Sequence, residues 1–181
     1  MKRKETPLDL GAKCKRCPFA VRGFPAKAVM GEGPLDADGI FIGESPGREE
    51  VERGRPFVGA TGMQLDESFV AAKLNRARLF IVNAIACLPR LPKSEADMRR
   101  AADCCRPALI AQLERLKNVN ELPVFCAGKW AVYGLTGDFR GMKTQRGFIK
   151  EWDFEKTREV NRRALEKIKR NKQQQRKRQR A

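Results

Sequence analysis

Gly39-Ile40-Phe41-Ile42-Gly43-Glu44-Ser45-Pro46-Gly47-Arg48-Glu49-Glu50 is the stretch on which the reading of this chain turns. Ile40-Phe41-Ile42 between two glycines is a short continuous apolar run, the pattern of a strand buried on both faces of a parallel sheet. It breaks directly into Glu-Ser-Pro-Gly, and in α/β sheets ligands bind beyond the carboxyl ends of the strands, where this turn must lie. Glycines at both ends of the turn let backbone approach a ligand closely. A second glycine-rich run, Gly54-Arg55-Pro56-Phe57-Val58-Gly59-Ala60-Thr61-Gly62, comes soon after. By itself the pair indicates an anion or nucleotide site, or else a surface turn with solvated carboxylates.

Working outward, Leu79 to Ile85 and Val124 to Ala127 are two further apolar runs that predict strands. Between the first two strands, Met63, Leu65, Phe69, Val70 and Leu74 recur at roughly helical spacing over Gly62–Leu74. Between the second and third, Ser94 is placed to cap a helix through Met98, Ala102, Leu109, Leu113 and Leu116. Pro107 is expected to kink or split that helix. Ala131–Leu135 reads as one more short helix. This alternation predicts an α/β domain with a mostly parallel sheet. Gly147–Trp152 suggests a short edge strand, and Val160, Ala164, Leu165 and Ile168 share one helical face. Asn171–Arg180 has no apolar residue and is expected to be frayed or disordered.

The 181 residues suit one domain plus a tail, with 41% hydrophobic residues to build a core. The net charge of +16 argues for a polyanionic partner, nucleic acid before all. Thr157–Ala181 carries 11 basic and 2 acidic side chains, a net of +9, against +7 for the other 156 residues. The division expected is a domain over residues 1–156 and a basic helical or disordered tail over 157–181, the bland alternative being a tail that only solubilises. No apolar run approaches the ~18 residues of a membrane span. Met1–Pro7 lacks the apolar stretch of a secretory signal, so a cytoplasmic protein is expected; its oligomeric state is open, with a monomer favoured.

Six cysteines in such a compartment are reduced thiols or metal ligands rather than a disulfide framework. Cys14-Lys15-Arg16-Cys17 brings two thiolates within reach of one ion or cluster. Cys87 comes after the second strand, and Cys104-Cys105 lies in the next helix. Four thiolates suit zinc or an iron–sulfur cluster. Only one of Cys104 and Cys105 is able to serve, because neighbours on a helix point about 100° apart. Cys126, inside an apolar strand, reads as a core residue. Histidine is absent, which excludes imidazole ligands and imidazole acid–base chemistry.

Taken together, Cys14-Lys-Arg-Cys17-Pro18, the Gly43–Glu50 and Gly54–Gly62 loops, Asn83-Ala-Ile-Ala-Cys87, Cys105-Arg106-Pro107, Ala127–Ala131 and Leu135-Thr136-Gly137 resemble the family-4, iron–sulfur uracil-DNA glycosylases. The resemblance covers about three quarters of the chain. It implies a three-layer α/β/α sandwich around a mostly parallel sheet, and removal of uracil from DNA by cleavage of its N-glycosidic bond. It implies a 4Fe–4S cluster on Cys14, Cys17, Cys87 and Cys105, the last preferred to Cys104 because it stands directly before Arg-Pro. Phe57 resembles the aromatic platform for a flipped uracil, and Asn83 the amide that reads its O4 and N3–H. Glu44 takes the place of the carboxylate that stabilises the sugar cation or orients water, and Glu50 that of a second acidic residue near the C5 edge. Gly43 and Ser45 belong to the turn whose N–H groups face uracil O2. Ser45, Arg48 and Arg55 are candidates for phosphate contact.

The family's His-Pro-Ser or His-Pro-Ala loop has no counterpart here. Either that segment is deleted and the terminal helix replaces the family's residues beyond it, or the tail belongs to a truncated copy. Two functions therefore stand beside each other: a uracil-DNA glycosylase, and a catalytically impaired DNA-binding module on the same fold. A zinc-bound α/β protein with an unrelated small-molecule site is the third.

Overall fold

The computed structural model describes residues 5–20, 27–89 and 94–138, together with Glu155 and Glu159. The expected edge strand at 147–152, the terminal helix and the frayed tail lie outside these residues.

Three strands build the sheet: β1 (Gly39–Gly43), β2 (Leu79–Asn83) and β3 (Val124–Cys126), in the order β2-β1-β3. Both pairings are parallel, with Gly39 opposite Leu79 through to Gly43 opposite Asn83, and Ile40 opposite Val124. Every residue of β1 and β2 is buried, as the continuous apolar runs predict. Alternate side chains serve opposite faces. Ile40, Ile42, Phe80 and Val82 pack against Leu109, Ile110, Leu113, Ala131 and Leu135. Phe41, Leu79 and Ile81 pack on the other side against Phe69, Leu65 and Phe57. These two cores put helices on both faces, which is the layered α/β architecture expected.

Four helices complete the described fold: α1 (Arg48–Arg53), α2 (Ala60–Ala71), α3 (Glu95–Leu113) and α4 (Lys129–Thr136). The cap at Ser94 is present, its Oγ accepting the Asp97 N–H at 3.0 Å. Pro107, however, does not split α3; the helix runs unbroken through it. Eleven residues of α3 are buried, and burial on that scale outweighs the ~3 kcal/mol an interior proline costs. The apolar face of α2 also differs from expectation. Leu65 and Phe69 face the sheet, whereas Met63 and Val70 are 63% and 77% exposed. At about 100° per residue, positions 65 and 69 share one face and 63 and 70 share the opposite one. Cys126 is half-buried and packs against the main core, and burial pushes its thiol up to about 12.

Backbone hydrogen bonds carry the β1–β2 association past the strands. Ala84 N–H donates to Gly43 O, and Ile85 N–H to Glu44 O, both at 2.9 Å. The turn after β1 and the chain after β2 therefore leave the sheet side by side.

Candidate active site

Gly43 is the point on which the pocket converges. A Cβ built there would fall on the edge of the Phe57 ring and 2.5 Å from Asn83 Oδ1, so only glycine leaves room for both groups. Phe57 and Asn83, distant in sequence, thus stand together at the carboxyl ends of β1 and β2. Glu44, next along the turn, is half-buried, as is Ser45.

Asn83 is 4% exposed, and its Oδ1 accepts no hydrogen bond. A buried acceptor left without a donor costs roughly 1–3 kcal/mol, and such atoms are rare in folded proteins. Its position beside an aromatic ring, at the mouth of a parallel sheet, is where a planar ligand with an N–H donor fits.

Phe57 has φ +53°, in the left-handed region. For a bulky residue this is strained, by about 1–3 kcal/mol, and persists only where the surroundings enforce it. Its ring meets Phe41 edge-on, with centroids 5.3 Å apart and planes at 89°. A side chain on Gly62 would collide with the Phe57 carbonyl, so the start of α2 presses directly on this backbone.

Glu50 supplies much of the enforcement. Its Oε1 accepts the N–H of Val58 at 3.0 Å and of Gly59 at 2.8 Å, and its Oε2 accepts Gly47 N–H at 2.9 Å. Burial by itself would raise its pKa, but the N–H groups, that of Gly59 foremost, outweigh burial and hold it below the ordinary glutamate range. The carboxylate thus ties the turn after β1 to the loop that carries the ring. The sequence carries a signal for this, since an acidic residue three positions after a helix N-cap commonly turns back to bond it. Arg55 is bidentate on Glu32, at 2.8 and 3.1 Å, and Arg48 is exposed at the start of α1.

On the other face, Cys14–Arg16 forms a single 3-10 turn, with Cys17 N–H bonded to Cys14 O at 3.1 Å. Lys13 N–H donates to Cys104 O at 2.9 Å and docks this turn on α3. Cys14, Cys87, Cys104 and Cys105 are buried, and Cys17 is half-buried. Burial first, against a hydrogen bond from Ala86, pushes the Cys105 thiol up to about 12, and the neighbouring Cys17, Cys87 and Cys14 push the same way. Cys105 therefore has the other three expected ligands as its electrostatic neighbours. Cys104, outside the expected ligand set, nevertheless hydrogen-bonds Cys17, which draws the Cys17 thiol down and pushes its own up. Among the described residues, no three His, Cys, Asp or Glu side chains form a group that could hold a metal ion.

Residues 30–175 match the family model for the uracil DNA glycosylase superfamily, and the chain belongs to that superfamily. Type-4 uracil-DNA glycosylases are among its curated relatives. The protein from Pyrobaculum aerophilum is 37% identical over 60% of this chain and 54% of its own length. That from Thermotoga maritima is 38% identical over 56% and 51%, and that from Archaeoglobus fulgidus 33% identical over 65% and 56%. The chain spans about half the length of the curated relatives it matches. The family match also extends to residue 175, well into the segment read as a basic tail. No described helix is long and apolar enough to cross a membrane.

Proposed function

We propose that this chain is a type-4 uracil-DNA glycosylase, hydrolysing the N-glycosidic bond of a uracil everted from DNA. The observation that carries the reading is Asn83 Oδ1, a buried acceptor without a donor, set beside the Phe57 ring over Gly43.

A base inside a duplex is out of reach, so the target nucleotide must turn out of the stack. Uracil stacked on Phe57 brings its N3–H to Asn83 Oδ1 and its O4 to the amide nitrogen. Cytosine presents an unprotonated N3 and an amino group on that edge, which leaves Asn83 opposed by the wrong partners. As the C1′–N1 bond breaks, its electron pair leaves with uracil and positive charge grows on the sugar. Glu44 stabilises that charge and orients the water whose oxygen bonds to C1′, the surplus proton passing to the carboxylate or to solvent. Gly47 N–H is committed to Glu50, which leaves the Gly43–Ser45 part of the turn to meet uracil O2. Glu50, which the family likeness puts at the C5 edge, also holds the ring's loop.

The family likeness assigns Cys14, Cys17, Cys87 and Cys105 to a 4Fe–4S cluster; Cys14, Cys87 and Cys105 are buried and Cys17 half-buried, and as they stand these thiols do not form a ready-made site for a metal ion. When bound, the cluster would supply metal–thiolate bonds that staple the N-terminal segment to α3 and to the chain after β2. DNA is the partner this reading requires, with Arg48 and the basic tail as its phosphate contacts and binding that weakens steeply with salt.

The second reading, a DNA-binding module without turnover, is favoured by the absence of histidine from all 181 residues. Incubation with uracil-containing single- and double-stranded DNA, scored for alkali-labile abasic sites, separates the two. The glycosylase produces such sites, and Glu44→Ala slows it by at least ~100-fold, as loss of a catalytic carboxylate typically does. Uracil-DNA bound but never cleaved by iron-loaded protein leaves the second reading standing and removes the first.

A further inference from the structure

The loop that carries Phe57 is also held from outside the pocket, by residues to which neither the sequence nor the family likeness assigns a part. Arg76, in the 3-10 turn just before β2, donates from Nη2 to Pro56 O at 3.0 Å and from Nη1 to Asp66 Oδ1 at 2.7 Å. The same Nη2 lies 3.7 Å from Glu32 Oε1, and Glu32 is the carboxylate that takes Arg55 bidentately. Glu32 is itself fixed to the edge of β2, where it exchanges backbone hydrogen bonds with Ile81 at 2.9 and 2.8 Å. Arg76 is 24% exposed and Glu32 30%, so the network is only partly wet. Pairs in that position keep more of their strength than fully exposed ones.

The residues on either side of the ring are therefore bonded one after another. Arg55 goes to Glu32, Pro56 O to Arg76, and the N–H groups of Val58 and Gly59 to Glu50. Phe57 stands between them in the left-handed conformation that an aromatic residue does not choose by itself. Glu50 fixes the backbone after the ring. Before it, Arg76 is the group that reaches a main-chain carbonyl directly.

We propose that Arg76 is a positioning residue for the stacking ring. Its planar fork, braced by Asp66 and Glu32, fixes the Pro56 carbonyl and so sets the angle at which Phe57 faces Asn83. This rests on the uracil reading for its consequence in turnover, but the geometry itself is measurable without turnover. The guanidinium's two-sided reach is what matters, so a lysine, with one point of charge, does not replace it.

The test places para-fluorophenylalanine at position 57 and records the fluorine resonance in Arg76→Gln, Arg76→Lys and, as a control, Arg78→Gln. Arg78 is the neighbouring arginine, paired with Asp36 and Asp38 away from this loop. Both Arg76 variants are expected to shift or broaden the resonance, and Arg78→Gln to leave it in place. With uracil-containing single-stranded DNA, Arg76→Gln and Arg76→Lys should raise KM on the order of 10-fold with kcat changed less, since a stacking platform serves ground and transition states alike. A resonance unmoved by Arg76→Gln, or moved as far by Arg78→Gln, overturns the proposal. A shifted resonance in a protein that never cleaves uracil-DNA supports the positioning role and defeats the glycosylase reading instead.

Discussion

The pocket end of the molecule and its cysteine end are built by opposite means. Around Phe57 and Asn83, order comes from directed polar contacts within the chain: one carboxylate accepts three N–H groups, and one guanidinium grips a carbonyl. Around the cysteines, polar ties are fewer: Lys13 N–H docks the turn on α3, Cys104 meets Cys17, and Arg115 takes Glu5 at the segment's start, while most of the contact is apolar burial that raises the thiols of Cys14 and Cys105. A site of the first kind is organised before a ligand arrives. A site of the second kind gains most of its order from what binds there, because ligation removes protons that burial otherwise retains. The contrast teaches that loss of the proposed cluster and mutation of the loop should damage different regions.

The largest effect expected is on the cysteine end. On the proposed ligand set, Cys105→Ala should abolish iron binding and expose the 5–20 segment to limited proteolysis, while hydrogen exchange over 43–62 stays near that of the parent protein. Cys104→Ala should retain iron and the absorbance near ~400 nm typical of such clusters. If Cys104→Ala loses the iron and Cys105→Ala keeps it, the ligand assignment is reversed. If protection over 43–62 collapses with the iron, the two ends are not independent.

Next in size is Gly43→Ala. The added methyl has to displace either the Phe57 ring or the Asn83 amide, so abasic-site formation should fall by about 100-fold. Global stability should drop by no more than a typical overpacking penalty, roughly 1–3 kcal/mol. Unchanged activity in this variant would mean the ring and amide do not work at one point.

Glu50→Gln should show the smallest effect, and one that depends on pH. Near neutrality it should cost about 1–3 kcal/mol, because a neutral amide accepts less strongly and its NH2 replaces one acceptor oxygen, facing either the Gly47 N–H or those of Val58 and Gly59. The native carboxyl is held below its ordinary value of 4.5. The unfolded chain therefore takes up the proton first, and the stabilisation is complete above that value and lost as pH falls through the folded one. Denaturant midpoints measured from neutrality into acid should converge for parent and variant. Parallel curves across that range would mean Glu50 is not held as an anion.

How far the sequence foretold this structure depends on the kind of interaction involved. Ile40-Phe41-Ile42 and Leu79–Asn83 were legible because burial on both faces of a parallel strand leaves an uninterrupted apolar record. The approach of Phe57 to Asn83 came from family likeness alone, since nothing in local spacing joins residues on different strands and loops. The left-handed backbone at Phe57 was illegible: no residue type announces it, and the contacts that enforce it come from Glu50, Gly62 and Arg76. Pro107 does not split α3 as one branch of the expectation had it, because a local breaker signal says nothing about how much surface the helix buries. The closeness of Cys104 to Cys17 was hidden too, because helical geometry fixes the angle between neighbours but not where their sulfurs end up once the N-terminal turn docks.

The two rungs beyond the sheet, Ala84 to Gly43 and Ile85 to Glu44, weld Asn83 and Glu44, the proposed reader of the base and the proposed carboxylate for the sugar, onto one ribbon. Neither is free to drift without dragging the other along. A descendant of this protein that came to accept a base of different outline would find little slack there. Its room for change lies across the gap, where the ring rests on side chains that single substitutions exchange.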